Sequence, residues 1–326
     1  MEREFAFQWH ITDLCNLRCK HCYQERFDSE RDLFLEEVKK IIWNIAYFLE
    51  EKSFNKLTIN LTGGEPLISP LTFPLLEELE KISLVKEVNI ITNGIFLKNF
   101  YSKIKSFKKV KYIKVSLEGA SEETNDKIRG KGNFERVMEN IKGISDIIFM
   151  FTLAKYNYRE LDEMYRLAEK CKAKGFILER FIPLGKGEKI KEMVLSSFEW
   201  YKVIEKIAEW EEVNPKDLFP YKAFYIDFEN NVTLGALCNL GEESMALMPN
   251  GDVYPCRRLP IILGNLKRES FKEIYERLKI FRNRFTKENL KGRCHFCPIE
   301  DCIGCRALSY ALSLDIFEED FQCWKI

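Results

Sequence analysis

The chain has 326 residues, with 51 basic and 51 acidic side chains, so its formal net charge at pH 7 is zero. At ~150 residues per domain this length suggests about two domains, and 46% hydrophobic with 13% aromatic residues suits a packed core. Balanced charge argues against bulk electrostatic binding to nucleic acid or an anionic membrane. No apolar run approaches the ~20 residues of a membrane span, and no secretory segment follows Met1, which points to the cytoplasm.

From residue 5 to residue 182, short β-rich runs alternate with amphipathic helical stretches. Strands are predicted over 5–11, 56–61, 88–92, 112–117, 147–153 and 176–182. Between the first two, Val38, Ile41, Ile42, Ile45 and Leu49 follow the i, i+3, i+4, i+7 spacing of a buried helix face. A later helix sets Leu161, Met164, Leu167, Ala168 and Cys171 on one side, and this lone thiol reads as a small apolar core residue. Six strand–helix repeats imply a parallel sheet, because parallel strands need helical crossovers of one hand. A partial (β/α)6 barrel or an open doubly wound sheet satisfies the pattern. In either, ligands sit at the carboxyl ends of the strands, which gathers 12–23, 63–66, 92–94, 116–119 and 183–185 at one mouth. The pattern changes after Gly187. A linking helical segment is expected over 188–233, then a turn-rich, cysteine-rich domain over 234–326 with helix near 270–285 and 306–314.

Eleven cysteines are the compositional outlier. An odd count without a signal peptide is poor evidence for a disulfide framework, and bunched thiols read as ligands for iron–sulfur clusters or zinc. Cys15, Cys19 and Cys22 make CxxxCxxC on the loop after the first strand. Three thiolates can hold three irons of a cubane and leave the fourth open, the pattern of a reactive site rather than a closed structural one. A zinc site aided by His10 or His21 is the plainer alternative. Cys238, Cys256, Cys294, Cys297, Cys302, Cys305 and Cys323 form the second set. Its two CxxC knuckles are four residues apart, against ~15–20 in a zinc ribbon, and seven thiols exceed one tetrahedral site.

CxxxCxxC followed by Tyr23 after strand one, with Gly63-Gly64-Glu65-Pro66 after strand two, resembles the radical SAM superfamily. By that resemblance Cys15, Cys19 and Cys22 would hold a [4Fe-4S] cluster whose open iron chelates the amino and carboxylate groups of S-adenosylmethionine. Tyr23, Gly63, Gly64, Glu65, Pro66, Asn93, Ser116, Glu118, Arg129 and Leu184 would line the cofactor site. Glu65 would accept from the methionyl amino group, Ser116 and Glu118 would touch the ribose, and Arg129 would pair with the methionyl carboxylate through its planar fork. The glycines would let backbone approach the ligand, while Asn93 reads equally well as a turn residue. The resemblance covers about residues 5–187 and implies a radical SAM core over 1–187, an α/β partial (β/α)6 TIM barrel.

The seven later cysteines resemble the SPASM extension, which carries two auxiliary [4Fe-4S] clusters. Cys238, Cys256 and Cys305 would hold the first, with an open iron as one option, and Cys294, Cys297, Cys302 and Cys323 the second. CxxCx4CxxC stands where CxxCx5CxxxC is typical, which leaves open the cluster that Cys302 and Cys305 each serve.

The implied activity is reductive cleavage of S-adenosylmethionine to a 5′-deoxyadenosyl radical, then oxidative modification of a substrate by hydrogen abstraction. It calls for three [4Fe-4S] clusters and a low-potential electron donor such as ferredoxin or flavodoxin. A ribosomal peptide or protein leads as substrate, met by Arg257 and Arg258. A leader peptide would need a separate binding partner or another surface, because strand one begins close to Met1. The alternative is oxidation or decarboxylation of a tetrapyrrole or other cofactor intermediate, with Arg180, Arg257 and Arg258 for its carboxylates. An anaerobic sulfatase maturase is disfavoured, since Arg257 stands where an Asp is expected. An electron-transfer or cluster-scaffold protein would explain the thiols but not Gly63–Pro66 and Arg129. Asp227, Glu229 and Tyr254 are the polar groups in the right region, and none makes a convincing general acid or base.

Overall fold

The computed structural model describes residues 3–324. All six predicted strands form, as β1 (Glu4–His10), β2 (Lys56–Thr62), β3 (Val85–Thr92), β4 (Val110–Leu117), β5 (Ile147–Leu153) and β6 (Gly175–Arg180). Helix follows each, giving the strand–helix repeat of a partial (β/α)6 barrel that does not close. Five further strands follow: β7 (Ala223–Asp227), β8 (Val232–Ala236), β9 (Ser244–Leu247), β10 (Asp252–Tyr254) and β11 (Gly264–Asn265). The chain divides into two compact units. The first comprises the described residues of Met1–Asn16, Arg26–Lys114 and Asn239–Arg284; the second comprises those of Leu17–Glu25, Val115–Cys238 and Phe285–Ile326.

In the first unit β1 is an interior strand. It pairs in parallel with β2 from Glu4↔Lys56 to His10↔Thr62, and on its other side with β9 from Ala6↔Ser244 to Trp9↔Leu247. β3 continues the parallel run beyond β2, while β10 and β11 add antiparallel beyond β9. With neighbours on both edges, β1 buries Phe5, Phe7 and Trp9 completely or nearly so. The helix Leu35–Glu51 covers that layer with the expected face, all of Val38, Ile41, Ile42, Ile45 and Leu49 being buried. The helix Phe271–Arg282 closes it through an aromatic cluster. Phe5–Phe271, Phe48–Phe271 and Phe48–Tyr275 lie edge to face with ring centroids 5.7, 5.5 and 5.2 Å apart, each pair worth ~0.5–1.5 kcal/mol beyond burial.

In the second unit β5 and β6 are parallel, and β7 and β8 extend them antiparallel, Gly175 facing Asp227 and Asp227 facing Val232. The helix Ser197–Glu211 starts at a capping box between Ser196 and Glu199 and buries Trp200, Val203, Ile204 and Ile207. Arg180 ends β6 and is 3% exposed, its guanidinium 2.9 Å from the fully buried Asp320 and its plane 4.4 Å from the Trp200 ring. β7 falls within residues 188–233, where the sequence suggested only a linking helical segment, and β8 runs across the end of that stretch. Cys171 also departs from expectation. It is half-buried, one position past the helix Leu161–Lys170, where its N–H caps the last turn instead of its thiol entering the core. No helix among the described residues is long and apolar enough to cross a membrane.

His10, at the end of β1, carries a pH dependence. Burial first, then the charge of Arg257, lowers its pKa from 6.5 to about 3. The unfolded chain therefore takes up a proton below about pH 6.5 while the folded one does not until about pH 3, so this contribution is complete above 6.5 and falls away as pH drops. Chemical denaturation at pH 7 and pH 5 should differ by ~2 kcal/mol from this group, and His10→Gln should remove that difference.

Candidate active site

The glycine pair after β2 serves the chain's own backbone first. A Cβ on Gly64 would sit 2.2 Å from the Leu14 carbonyl, and one on Gly63, whose φ is +149°, would sit 2.5 Å from the Thr12 carbonyl. Only glycine lets these two loops touch, and the Gly64 and Glu65 N–H groups donate to the Thr12 and Leu14 carbonyls at 2.7 and 2.8 Å. The stretch leading into Cys15 is thereby fastened to the end of β2. Glu65 is fully buried. Its carboxylate accepts from the Thr92 hydroxyl and the Asn93 N–H, both at 2.7 Å, and from the Leu67 N–H at 3.0 Å, where Pro66 opens a short 3-10 turn. Asn93 donates from Nδ2 to Asn16 at 2.8 Å and accepts the Ile95 N–H on Oδ1, so it is both a turn residue and a brace for the cysteine loop.

Cys19, His21, Cys22 and Tyr23 belong to the second unit, with the ends of β4, β5 and β6. Glu118 follows β4 and is fully buried. Its Oε1 lies 2.7 Å from Arg129 Nη2 and 3.2 Å from His21 Nε2, and its Oε2 accepts the Thr152 N–H at 3.1 Å. Burial alone would raise this carboxyl's pKa, but the His21 and Arg129 charges outweigh it and hold the pKa below the usual range. An ionised carboxylate only accepts, so His21 Nε2 carries the hydrogen. Arg129 is itself buried and ends the helix Glu122–Arg129, where Ser121 caps the N-terminus. The turn after β6 packs onto the same loop: Gly187 N–H donates to the Cys22 carbonyl at 3.0 Å, and a Cβ on Gly185 would lie 2.4 Å from the Tyr23 carbonyl. Leu184 precedes that turn and Ser116 sits near the end of β4, both half-buried.

Among the buried polar atoms of the second unit without a hydrogen-bond partner in the described residues are His21 Nδ1, Arg129 Nε and the Tyr156 hydroxyl, which belong to one electrostatic cluster with Cys19 and Glu118. Glu118, Arg129 and Cys19 all act on Tyr156, and burial drives its pKa well above 10, so the hydroxyl stays a donor. Burial likewise raises the Cys19 thiol, Arg129 draws it down and Glu118 pushes it up. Orphaned buried groups are rare and cost ~1–3 kcal/mol each. Two donors and an imidazole nitrogen beside a thiol match a ligand that carries a carboxylate together with hydroxyl or amino groups. The residues therefore fit an amino-acid-bearing cofactor. Tyr156, in the loop after β5, was missed from sequence because a lone tyrosine past a strand has no spacing signature.

The later cysteines of the second unit share a polar node. Cys294 Sγ accepts from the Asp320 N–H at 3.4 Å and from Arg306 Nη2 at 3.7 Å, and Cys302 Sγ lies 3.7 Å from Lys222 Nζ. The Cys305 N–H donates to the Asp320 carboxylate at 2.9 Å, and the Cys323 N–H to the Asp320 carbonyl at 2.9 Å. Cys297 is half-buried, as is Cys238 just after β8; Cys256, after β10 in the first unit, accepts the Leu259 N–H on its carbonyl. No three His, Cys, Asp or Glu side chains among the described residues converge as they would on a single metal ion.

Several expected polar groups are already committed. Arg180 is spent on Asp320, which it and Lys222 hold far below the usual carboxylate range against the upward push of burial. Asp227 accepts the Glu229 and Asn230 N–H groups at 2.9 and 3.2 Å and so builds the turn between β7 and β8, and Glu229 pairs with Lys174. Tyr254 is held protonated, chiefly by burial.

Comparison with known proteins bears on this geometry. Residues 9–168 match the model of the radical SAM superfamily, and residues 238–298 match that of SPASM, an iron–sulfur cluster-binding domain. An AdoMet-dependent heme synthase of Methanosarcina barkeri is 29% identical over 97% of this chain and 95% of its own. The antilisterial bacteriocin subtilosin biosynthesis protein AlbA of Bacillus subtilis is 28% identical over 93% of this chain and 68% of its own. In fold, Streptococcus suis SuiB, solved with its precursor peptide SuiA, aligns with a TM-score of 0.74 at 16% identity, covering 100% of this chain and 77% of that one.

Two substitutions test the frame of the site. Glu118→Gln leaves Arg129 buried without its anion and should cost about 3–5 kcal/mol. Gly64→Ala forces a carbon into the Leu14 backbone and should cost at least ~1–3 kcal/mol. Urea denaturation of each variant measures both.

Proposed function

We propose that this chain, which belongs to the radical SAM superfamily and carries a SPASM domain, oxidatively modifies a peptide or protein substrate. In this reading residues 1–187 are the radical SAM core, 188–233 a link and 234–326 the auxiliary-cluster domain. Cys15, Cys19 and Cys22 would hold the cluster that binds S-adenosylmethionine. Cys238, Cys256 and Cys305 would hold one auxiliary cluster, and Cys294, Cys297, Cys302 and Cys323 the other. When loaded, the site would supply one-electron reductive cleavage of S-adenosylmethionine, with the electron delivered by an external low-potential donor, and hydrogen abstraction from an unactivated C–H bond.

The protein's own part is binding, orientation and exclusion of water. The observation that carries the cofactor reading is the set of unpartnered atoms around Cys19. Arg129 Nε–H and the Tyr156 hydroxyl would donate to the methionyl carboxylate, and His21 Nδ1 would face another polar group of the ligand. Glu118 then acts as the anchor that keeps Arg129 and His21 in place, rather than as a group reserved for the ribose. Glu65, held by three donors, would meet the methionyl amino group, with Gly63, Gly64, Pro66 and Asn93 fixing its loop. Tyr23, Ser116 and Leu184 would complete the pocket.

For the substrate, the fate of Arg180 favours a peptide, because burial against Asp320 removes one of three basic groups that a polycarboxylate would use. Arg257 and Arg258 are the basic groups that would meet an acidic peptide. A ferredoxin- or flavodoxin-like protein would deliver the electron. A tetrapyrrole substrate is the second reading, supported by the near full-length likeness to a heme synthase.

Anaerobic reconstitution should give about twelve irons per chain for three cubanes, and the Cys15/Cys19/Cys22→Ala variant about four fewer. Tyr156→Phe should weaken S-adenosylmethionine binding about fivefold, the worth of one hydrogen bond, read by anaerobic calorimetry. The substrate is tested by expressing the triple-alanine variant with its neighbouring genes and analysing what co-purifies. A short peptide supports maturation; an intense tetrapyrrole absorption band replaces it with the second reading.

A further inference from the structure

Arg306 directly follows Cys305, opens the helix Arg306–Ser313 and is fully buried, at 0% exposure. Its hydrogen bonds go to neutral carbonyls and to sulfur. Nη1 donates to the Ile316 and Glu318 carbonyls at 3.0 and 2.6 Å, and Nη2 to Cys294 Sγ at 3.7 Å. Nε has no partner among the described residues, and no carboxylate there forms an ion pair with this guanidinium. Asp315 feels its charge but pairs with Lys291 at 2.6 Å, and Asp320 is matched by Arg180 at 2.9 Å.

A guanidinium cannot shed its proton, and a buried cation without an anion is strongly disfavoured. The anionic partner available to it is therefore the sulfur of Cys294 and whatever charge that sulfur shares. Lys222 repeats the arrangement with Cys302, its Nζ lying 3.7 Å from Sγ while also 3.5 Å from Asp320. Arg293 also feels Cys294 and Cys323, but it is half-exposed and neutralised by Glu319 at 3.0 Å.

We propose that Arg306, assisted by Lys222, raises the reduction potential of the auxiliary cluster carried by Cys294 and Cys302. The inference rests on the cluster assignment above. Reduction adds one electron and no proton, so the cluster's negative charge grows, and a fixed cation with its N–H aimed at a ligand sulfur favours the reduced form. Arg306 is a positioning residue in this role: it acts on the electron through the thiolate and touches no substrate.

The test is a potentiometric titration followed by electron paramagnetic resonance, on full-length protein with Cys15, Cys19 and Cys22 changed to alanine so that only auxiliary signals remain. Iron and sulfide are measured on every sample. Arg306→Gln should lower the midpoint so that the reduced-to-oxidised ratio at a fixed potential falls about tenfold, which is ~59 mV for one electron. Arg306→Lys, which keeps the charge, should recover most of that shift, a rescue that a purely structural role would not give. Lys222→Gln should move the midpoint in the same direction by less, and it carries the test if Arg306→Gln fails to fold. Unmoved midpoints at full iron content overturn this inference alone. A parent protein that incorporates no iron and sulfide overturns the cluster reading, and this inference with it.

Discussion

A carboxylate taken out of water must be surrounded by donors or it will not stay ionised, and this chain meets that demand where its cysteine loops need fastening. Glu65, Glu118 and Asp320 are each fully buried. Glu65 gathers the Thr92 hydroxyl and the Asn93 N–H, and Asn93 in turn braces Asn16 beside Cys15. Glu118 joins Arg129 to His21, which stands between Cys19 and Cys22. Asp320 joins Arg180 at the end of β6 to the N–H of Cys305. Each carboxylate converts a desolvation cost into a rigid link between a strand end and a thiol-bearing loop.

The same economy explains the glycines. A Gly-Gly-Glu turn invites the reading that bare backbone is there for a ligand, and the contacts point first to another use. Gly63 and Gly64 make room for the carbonyls of Thr12 and Leu14, so the loop that bears Cys15 lies against the end of β2. Gly185 does the corresponding work against the Tyr23 carbonyl in the second unit. A reactive site needs its groups held to within a fraction of an ångström before the substrate arrives, and close backbone contact is a stiff way to hold a loop.

The six barrel strands were legible because each is five residues or more and buried enough to read as a β-rich run, and the first helix because its apolar spacing is complete. β9, β10 and β11 were not, being four, three and two residues long, too short for any period to emerge. β7 and β8 were lost because β8 shows a weak, exposed alternation. In the site, spacing revealed cysteines and glycines, whose motifs are local in sequence. It could not reveal Tyr156 or Asp320, whose meaning comes from neighbours far away in the chain, nor that Arg180 would be consumed by a carboxylate 140 residues downstream.

The two groups of thiols in the second unit are treated in opposite ways. Around Cys19 a hydroxyl, a guanidinium nitrogen and an imidazole nitrogen have no partner among the described residues, and these are groups that a polar ligand would satisfy. Around Cys294 and Cys302 the donors point at sulfur itself, from the Asp320 N–H, Arg306 and Lys222. Unpaired donors in a pocket favour binding, because the ligand relieves their desolvation. Donors aimed at the thiolates act on the charge the sulfurs carry. In the proposed reading the first region would take up a molecule and the second would set where an electron rests.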